Sequence, residues 1–332
     1  MFDYVQEGLL RMRFSRRTML ISSLAAGALA GTPLRAQGAS LSVVATTGMI
    51  ADAARRVGGE HVEVKALMGP GVDPHSYRQT RTDIQAALRA DLVLWHGLYL
   101  EAQMEEFLLK LGERGTAVPV GEAVPRDQRI AHEDYANKFD PHVWMVPDLW
   151  TYVVNGVRDA LSEAAPDRAD MFASHATEYL EELDALGSYA RDVLATVPQP
   201  ARVLLTAHDA FGYFGAAYGF EVVGIQGIST ESEAGLNRIR TLADMLVERG
   251  IGAVFVETSV SDRNIRALVE GAAAQGHKVK IGGELFSDAM GAPGTYTGTY
   301  IGMIDHNVST IAQALGGEVP QRGMQGKLEE GS

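Results

Sequence analysis

Between Pro166 and Pro198 the chain carries one long helical pattern, residues 167–195, and on both sides of it short apolar segments alternate with amphipathic ones. At ~1.5 Å per residue that helix spans roughly 43 Å, whereas an ordinary globular helix has about 11–12 residues. Its apolar seam is too short and irregular for a coiled coil, so it reads as a rigid connector between two lobes. Before it, strands are expected at 41–48, 62–68, 91–97 and 116–120, and helices at 49–59, 79–90, 99–112 and from Pro147 into the low 160s. After it, strands are expected at 201–209, 221–227, 253–259 and 277–283, with helices at 211–218, 231–249, 261–275 and 298–316. Strands alternating with helices argue for parallel, doubly wound sheets. The expected fold is therefore α/β: two α/β lobes with mainly parallel sheets, joined by one long backbone helix. Residues 121–141 and 284–297, polar and punctuated by Gly and Pro, read as loops, and the tail from Glu318 reads as polar and loose.

Composition narrows the function. Hydrophobic residues make up 46% of the 332 and charged residues 21%, enough apolar material for packed cores and against wholesale disorder. The net charge of −13 disfavours a nucleic-acid-binding face. No cysteine is present, which removes disulfides, thiolate metal sites, cysteine nucleophiles and a lipidated N-terminal cysteine. The start reads as an address. Arg11, Arg13, Arg16 and Arg17 precede the apolar MLISSLAAGALAG, which leads to Pro33 and Ala36. This is the pattern of a cleaved bacterial export signal over residues 1–36, of twin-arginine type from the Arg16–Arg17 pair, and it places the mature protein in the periplasm. The expected organisation is then an N-terminal lobe over 37–166, the connecting helix over 167–197, a C-terminal lobe over 198–318 and a polar tail over 319–332.

Nine histidines remain to be sorted. His75 lies in GVDPHSY just past a strand end, His142 lies in DPHVW after a loop, and His208 ends the apolar strand VLLTAHD. Asp288 follows the last expected strand. Ligands of open α/β sheets bind outside the carboxyl ends of strands, so three imidazoles and a carboxylate near such ends make a plausible metal site. Four such groups suit tetrahedral zinc; an Asp288 that binds through both oxygens offers five contacts and accepts manganese. Against this, a lone histidine near a strand end is more often a hydrogen-bonded structural residue, and the separations of 67, 66 and 80 residues match no local zinc motif. Glu257, at the end of AVFVETS, is placed either to accept from a liganding histidine or to form an ordinary ion pair. Asp73 and Tyr77 flank His75 and are either supports of the site or turn formers. His96, after Trp95, reads as structural near the crevice wall, and His175 and His306 read as packing or surface residues. No GxGxxG follows the first strand and no P-loop occurs.

The run TAHDAFGYFGAAYGFEVVGIQGISTESEAG, from Thr206 to Gly235, resembles the periplasmic metal-binding receptors of zinc and manganese ABC importers, the cluster A-I solute-binding proteins, in their TroA-type branch. VVATTGMIADAARRVGG, GVDPHSY, DPHVW and IGGELFSDAMGAPGTYTGTYIGMIDHN are similar to that family too, so the likeness spans roughly residues 41–316. The resemblance implies His75 and His142 as ligands from the first lobe and His208 and Asp288 from the second, with one divalent metal ion as cargo between them. It also implies a cognate ABC permease as partner. Manganese-dedicated relatives usually carry a carboxylate where this chain has His208, which favours zinc with manganese close behind. Zinc-dedicated relatives often carry a long histidine-rich loop; here 121–141 offers only His132, with Glu133 and Asp134. The expected protein is not an enzyme. It is a monomer without a lipid anchor that binds no nucleic acid. The competing readings are an exported metallohydrolase with the same site and Glu257 or Glu284 as general base, and a passive metal-binding adhesin.

Overall fold

A computed structural model describes residues 40–132 and 135–329. The expected export signal, Glu133 and Asp134 lie outside the described residues. The first lobe is built on a parallel sheet of β1 (Leu41–Ala45), β2 (Val62–Ala66), β3 (Leu92–Trp95) and β4 (Ala117–Pro119), in the order β2-β1-β3-β4. The direction of winding reverses between β1 and β3, which opens a crevice at their carboxyl ends. All four residues of β3 are buried, as a parallel strand covered on both faces requires. Helices α1 (Gly48–Gly58), α2 (Arg81–Arg89) and α3 (Glu105–Gly112) connect these strands. Thr47 caps α1, and Thr80 and Asp83 form a reciprocal capping box on α2.

α4 (Pro147–Ala164) packs along α5 (Ala169–Ala195), the 27-residue connector. The second lobe repeats the scheme with parallel pairs β5 (Val203–Thr206) with β6 (Glu221–Gly224) and β7 (Ala253–Glu257) with β8 (Lys280–Leu285). The two pairs lie side by side at β5 and β7. The helices here are α6 (Gly212–Tyr218), α7 (Leu236–Arg249), α8 (Arg263–Ala274) and α9 (Tyr300–Ala314). The β7–β8 register slips by one residue between Val254↔Ile281 and Phe255↔Gly283, so Gly282 is the extra residue of a β-bulge. A Cβ there would lie 2.9 Å from the Phe255 ring and 2.8 Å from Ala314 Cβ, which leaves room for glycine alone.

Three expectations shift. The helix expected from Tyr99 begins only at Glu105, because Gly97, Leu98 and Tyr99 take positive φ and the buried Glu101 carboxylate accepts from the N–H groups of His96 and Gly97. The helix expected from 231 begins at Leu236. The tail is not loose over its described part. Leu328 is buried, and the Met324 N–H donates to the buried carboxylate of Asp305, which also accepts from the Tyr296 hydroxyl.

One hydrophobic core runs through both lobes, joining α1, α4, α5 and α9, while smaller cores sit behind each sheet. At the junction, Trp150 and Tyr300 stack with ring centroids 5.0 Å apart. The Tyr300 hydroxyl donates to the Trp144 carbonyl at 2.8 Å, and the Trp144 indole N–H donates to the Ser287 carbonyl at 2.7 Å. Such a shared core ties the lobes into one unfolding unit. Trp150→Ala is expected to destabilise the protein by about 3–5 kcal/mol. Tyr300→Phe, which deletes one hydrogen bond, is expected to cost about 1 kcal/mol. Urea unfolding followed separately by far-UV circular dichroism and fluorescence should give coincident single transitions; two resolved transitions in the parent would mean that the lobes fold independently.

Candidate metal centre

The site is assembled from four loops, three of them following β2, β5 and β8 and the fourth carrying His142 shortly before α4. Two share a construction that the sequence repeats: Asp-Pro-His at 73–75 and again at 140–142. In each, the aspartate Oδ1 accepts the histidine's backbone N–H at 2.9 Å, an Asx turn that the intervening proline favours. The second turn does more. Asp140 Oδ1 also takes the Nδ1 of His142 at 2.7 Å, which fixes the tautomer and leaves the Nε2 lone pair facing inward. His208 follows β5, where Glu257 at the end of β7 holds it twice, through its backbone N–H at 2.9 Å and its Nδ1 at 2.5 Å. Asp288 lies three residues past β8.

His75, His142, His208 and Asp288 are all buried, and one ligand atom from each lies within 4.8 Å of the others. His75 Nε2 is 3.2 Å from His142 Nε2; Asp288 places Oδ1 3.4 Å from His142 Nε2 and Oδ2 3.3 Å from His208 Nε2. Donors bonded at ~2.0–2.2 Å to one centre sit roughly this far apart. His208 Nε2 and Asp288 Oδ1 are buried with no hydrogen-bond partner, an arrangement that costs free energy unless a cation completes it.

The electrostatics point the same way. Burial holds His75 well below the ordinary histidine range, outweighing the Asp288 carboxylate. Burial also opposes charge on His142, but Asp140 and Asp288 outweigh it and push this group up to about 9. His208 is raised well above its usual value because Glu257 and Asp288 overcome burial. Asp288 is held well below the carboxylate range by His208, His142 and His75, against its own desolvation. The pocket thus favours positive charge at its centre, and a divalent cation supplies it in place of protons.

The other residues singled out from sequence fall around this cluster. Asp73 braces the His75 turn and also accepts from the hydroxyls of Ser76 at 2.8 Å and Thr230 at 2.6 Å, the latter from the opposite lobe. Tyr77 is turned away: its hydroxyl donates to Asp83 at 2.7 Å and supports the cap of α2 rather than His75. His96 stays outside the cluster, its Nε2 2.7 Å from the Pro141 carbonyl and its ring edge-on to Trp144. Burial pulls its pKa down to about 3, so it remains neutral and pins the turn that carries His142. His132 is buried against Tyr135 and is not among the four. Glu284 is not among the four either, and its carbonyl accepts from His306. Sequence reasoning missed Asp140; the repeated Asp-Pro-His triplet was the signal that could have found it.

Comparison with known proteins agrees with this geometry. The family model described as zinc-uptake complex component A, periplasmic, matches residues 43–314. The manganese-binding lipoprotein MntA of Bacillus subtilis is 50% identical over 275 residues, 83% of this chain and 90% of that one. The zinc-binding protein TroA of Treponema pallidum is 46% identical over 82% of this chain and 88% of its own length; its solved structure superposes with a TM-score of 0.81 over 83% of this chain and 99% of that one. The manganese-binding lipoprotein MntA of Halalkalibacterium halodurans is 33% identical over 91% of this chain and 98% of its own length. These names correct one expectation. The absence of a lipid anchor was expected from the missing cysteine, but both MntA relatives are lipoproteins, so a free, unanchored monomer does not stand as a conclusion for this chain. With the fold, the buried three-histidine, one-aspartate cluster and these similarities together, the chain belongs to the ZnuA/TroA-like family of periplasmic metal-binding receptors.

Proposed function

We propose that this protein captures one divalent transition metal ion outside the cytoplasmic membrane and delivers it to an ABC importer. The observation that carries the reading is the buried cluster whose four ligand atoms converge within 4.8 Å. His75 and His142 are the ligands from the first lobe, and His208 and Asp288 those from the second. Asp140 and Glu257 orient the imidazoles, and Asp73 braces the His75 turn. Residues 1–36 act as the export signal, with the lobes over 37–166 and 198–318 on either side of the connector. The protein is a carrier rather than a catalyst: four protein ligands saturate a tetrahedral ion and leave no open position for a reacting water.

Zinc is the favoured cargo. Three imidazoles suit a borderline-soft ion, and the general affinity order sets zinc above manganese. Manganese is a second reading with its own support, because both oxygens of Asp288 face imidazoles of the cluster and can supply an additional hard contact.

Competition titration under anaerobic conditions tests the ligand set. His208→Glu should reduce the zinc-to-manganese affinity ratio, because it replaces an imidazole with a hard oxygen donor. Asp288→Ala should weaken both metals, and Glu257→Gln should weaken binding by roughly 10–100-fold through its effect on His208. An unchanged ratio in His208→Glu, with the fold intact, removes His208 from the set; parent-like binding by Asp288→Ala removes Asp288.

Proton release tests the electrostatics. Burial is outweighed at His142 by Asp140 and Asp288 and at His208 by Glu257 and Asp288, so in the metal-free protein both imidazoles favour a proton, and protons compete with the ion for the same nitrogens. Calorimetry at pH 7 in buffers of different ionisation enthalpy should show proton release on metal binding. Affinity should fall as pH is lowered, the direction set by protons competing for raised groups. Heats independent of buffer would contradict the assignment.

A further inference from the structure

The Asp288 carboxylate has one support that the ligand set does not include. Ser259 Oγ donates to Asp288 Oδ2 at 3.1 Å and lies 2.9 Å from Ser287 Oγ. Each serine has a single hydroxyl proton, so when Ser259 donates to Asp288 the Ser287 hydroxyl donates to Ser259. The relay is a product of strand register. Beyond the bulge at Gly282, Glu257 pairs with Leu285, and continuing that offset sets Ser259 opposite Ser287. Without the extra residue Ser259 would stand opposite Phe286, which has no hydroxyl to offer. Ser287 is itself held, because its carbonyl accepts the Trp144 indole N–H.

The consequence lies in how the carboxylate is turned. Its two oxygens face different imidazoles, Oδ1 at 3.4 Å from His142 Nε2 and Oδ2 at 3.3 Å from His208 Nε2. Oδ1 has no hydrogen-bond partner to hold it, whereas Oδ2 is fixed by Ser259. Rotation about the terminal torsion of an aspartate is soft, so one anchored oxygen decides whether both or only one point at the centre.

We propose that Ser259 is a positioning residue for metal selectivity: it holds Asp288 so that both carboxylate oxygens face the ion, which raises the coordination number and sustains manganese binding in a site whose imidazoles favour zinc. The inference rests on the four-residue ligand set proposed above. Zinc is satisfied by four donors, so it tolerates a carboxylate that turns to offer one oxygen. Manganese prefers more oxygen contacts and depends on the second.

The test compares the parent, Ser259→Ala and Ser259→Thr in anaerobic competition titrations with zinc and with manganese. In Ser259→Ala, manganese affinity should fall at least about tenfold, the scale of outer-shell effects, with zinc affinity falling less than about threefold. Ser259→Thr, which keeps the hydroxyl, should retain the parent ratio. Cobalt(II) gives an independent readout, since its visible bands are weak in five-coordinate and intense in four-coordinate sites. The parent and the Thr variant should show the weak spectrum and Ser259→Ala the intense one. Equal losses for both metals, an unchanged ratio, or identical cobalt spectra in all three proteins would overturn the proposal while leaving the ligand set standing. Failure of the parent to bind either metal would overturn the ligand set itself.

Discussion

The structure turns on two buried carboxylate–imidazole pairs, Asp140 with His142 and Glu257 with His208. Burial alone would strip charge from these histidines. The carboxylates reverse that outcome, orient the rings and point each Nε2 at a common centre. The same carboxylates favour positive charge on the rings against burial, so a cation held between them meets compensating negative charge. That compensation avoids the large penalty of an uncompensated buried charge.

The scaffold explains how such a site can straddle two lobes without being loose. Each lobe offers its strand ends to the same crevice, and the continuous core through α1, α4, α5 and α9 backs both. The aromatic junction at Trp150 and Tyr300 and the Trp144–Ser287 hydrogen bond pin the crevice close to Asp288. The Thr230–Asp73 hydrogen bond crosses between the lobes beside His75. Turns and short hydrogen bonds of this kind can reopen at far smaller cost than the core behind them, so release at a permease is more readily achieved by loop movement than by hinging whole lobes apart.

Much of this was legible in the sequence. The proline-bracketed run that becomes α5 and the strand–helix alternation follow from periodicity; His75, His142, His208 and Asp288 stood out near expected strand ends, but their selection as one ligand set came from the family resemblance. Glu257 could be placed because it closes an apolar strand. What stayed hidden depended on tertiary register or on burial. Ser259 matters only because a bulge at Gly282 sets it opposite Ser287, and no local pattern marks that slip. Tyr77 sits two residues from His75 yet serves Asp83, since the turn sends its ring toward α2. Tyr99 looks like the start of a helix, but Gly97, Leu98 and Tyr99 form a left-handed turn beside which the Glu101 carboxylate binds the backbone N–H groups of His96 and Gly97. The end of the chain looked polar and loose because Asp305, the buried acceptor that captures Met324, lies in α9, where sequence spacing gives no hint of the contact.

The most direct test of the central claim is an anomalous difference map, recorded at the zinc absorption edge from crystals of the zinc-loaded protein. The account predicts one strong peak within about 2.0–2.2 Å of the Nε2 atoms of His75, His142 and His208 and of at least one oxygen of Asp288. A peak centred elsewhere, or a peak at this position with any of those four side chains turned away from it, would contradict it.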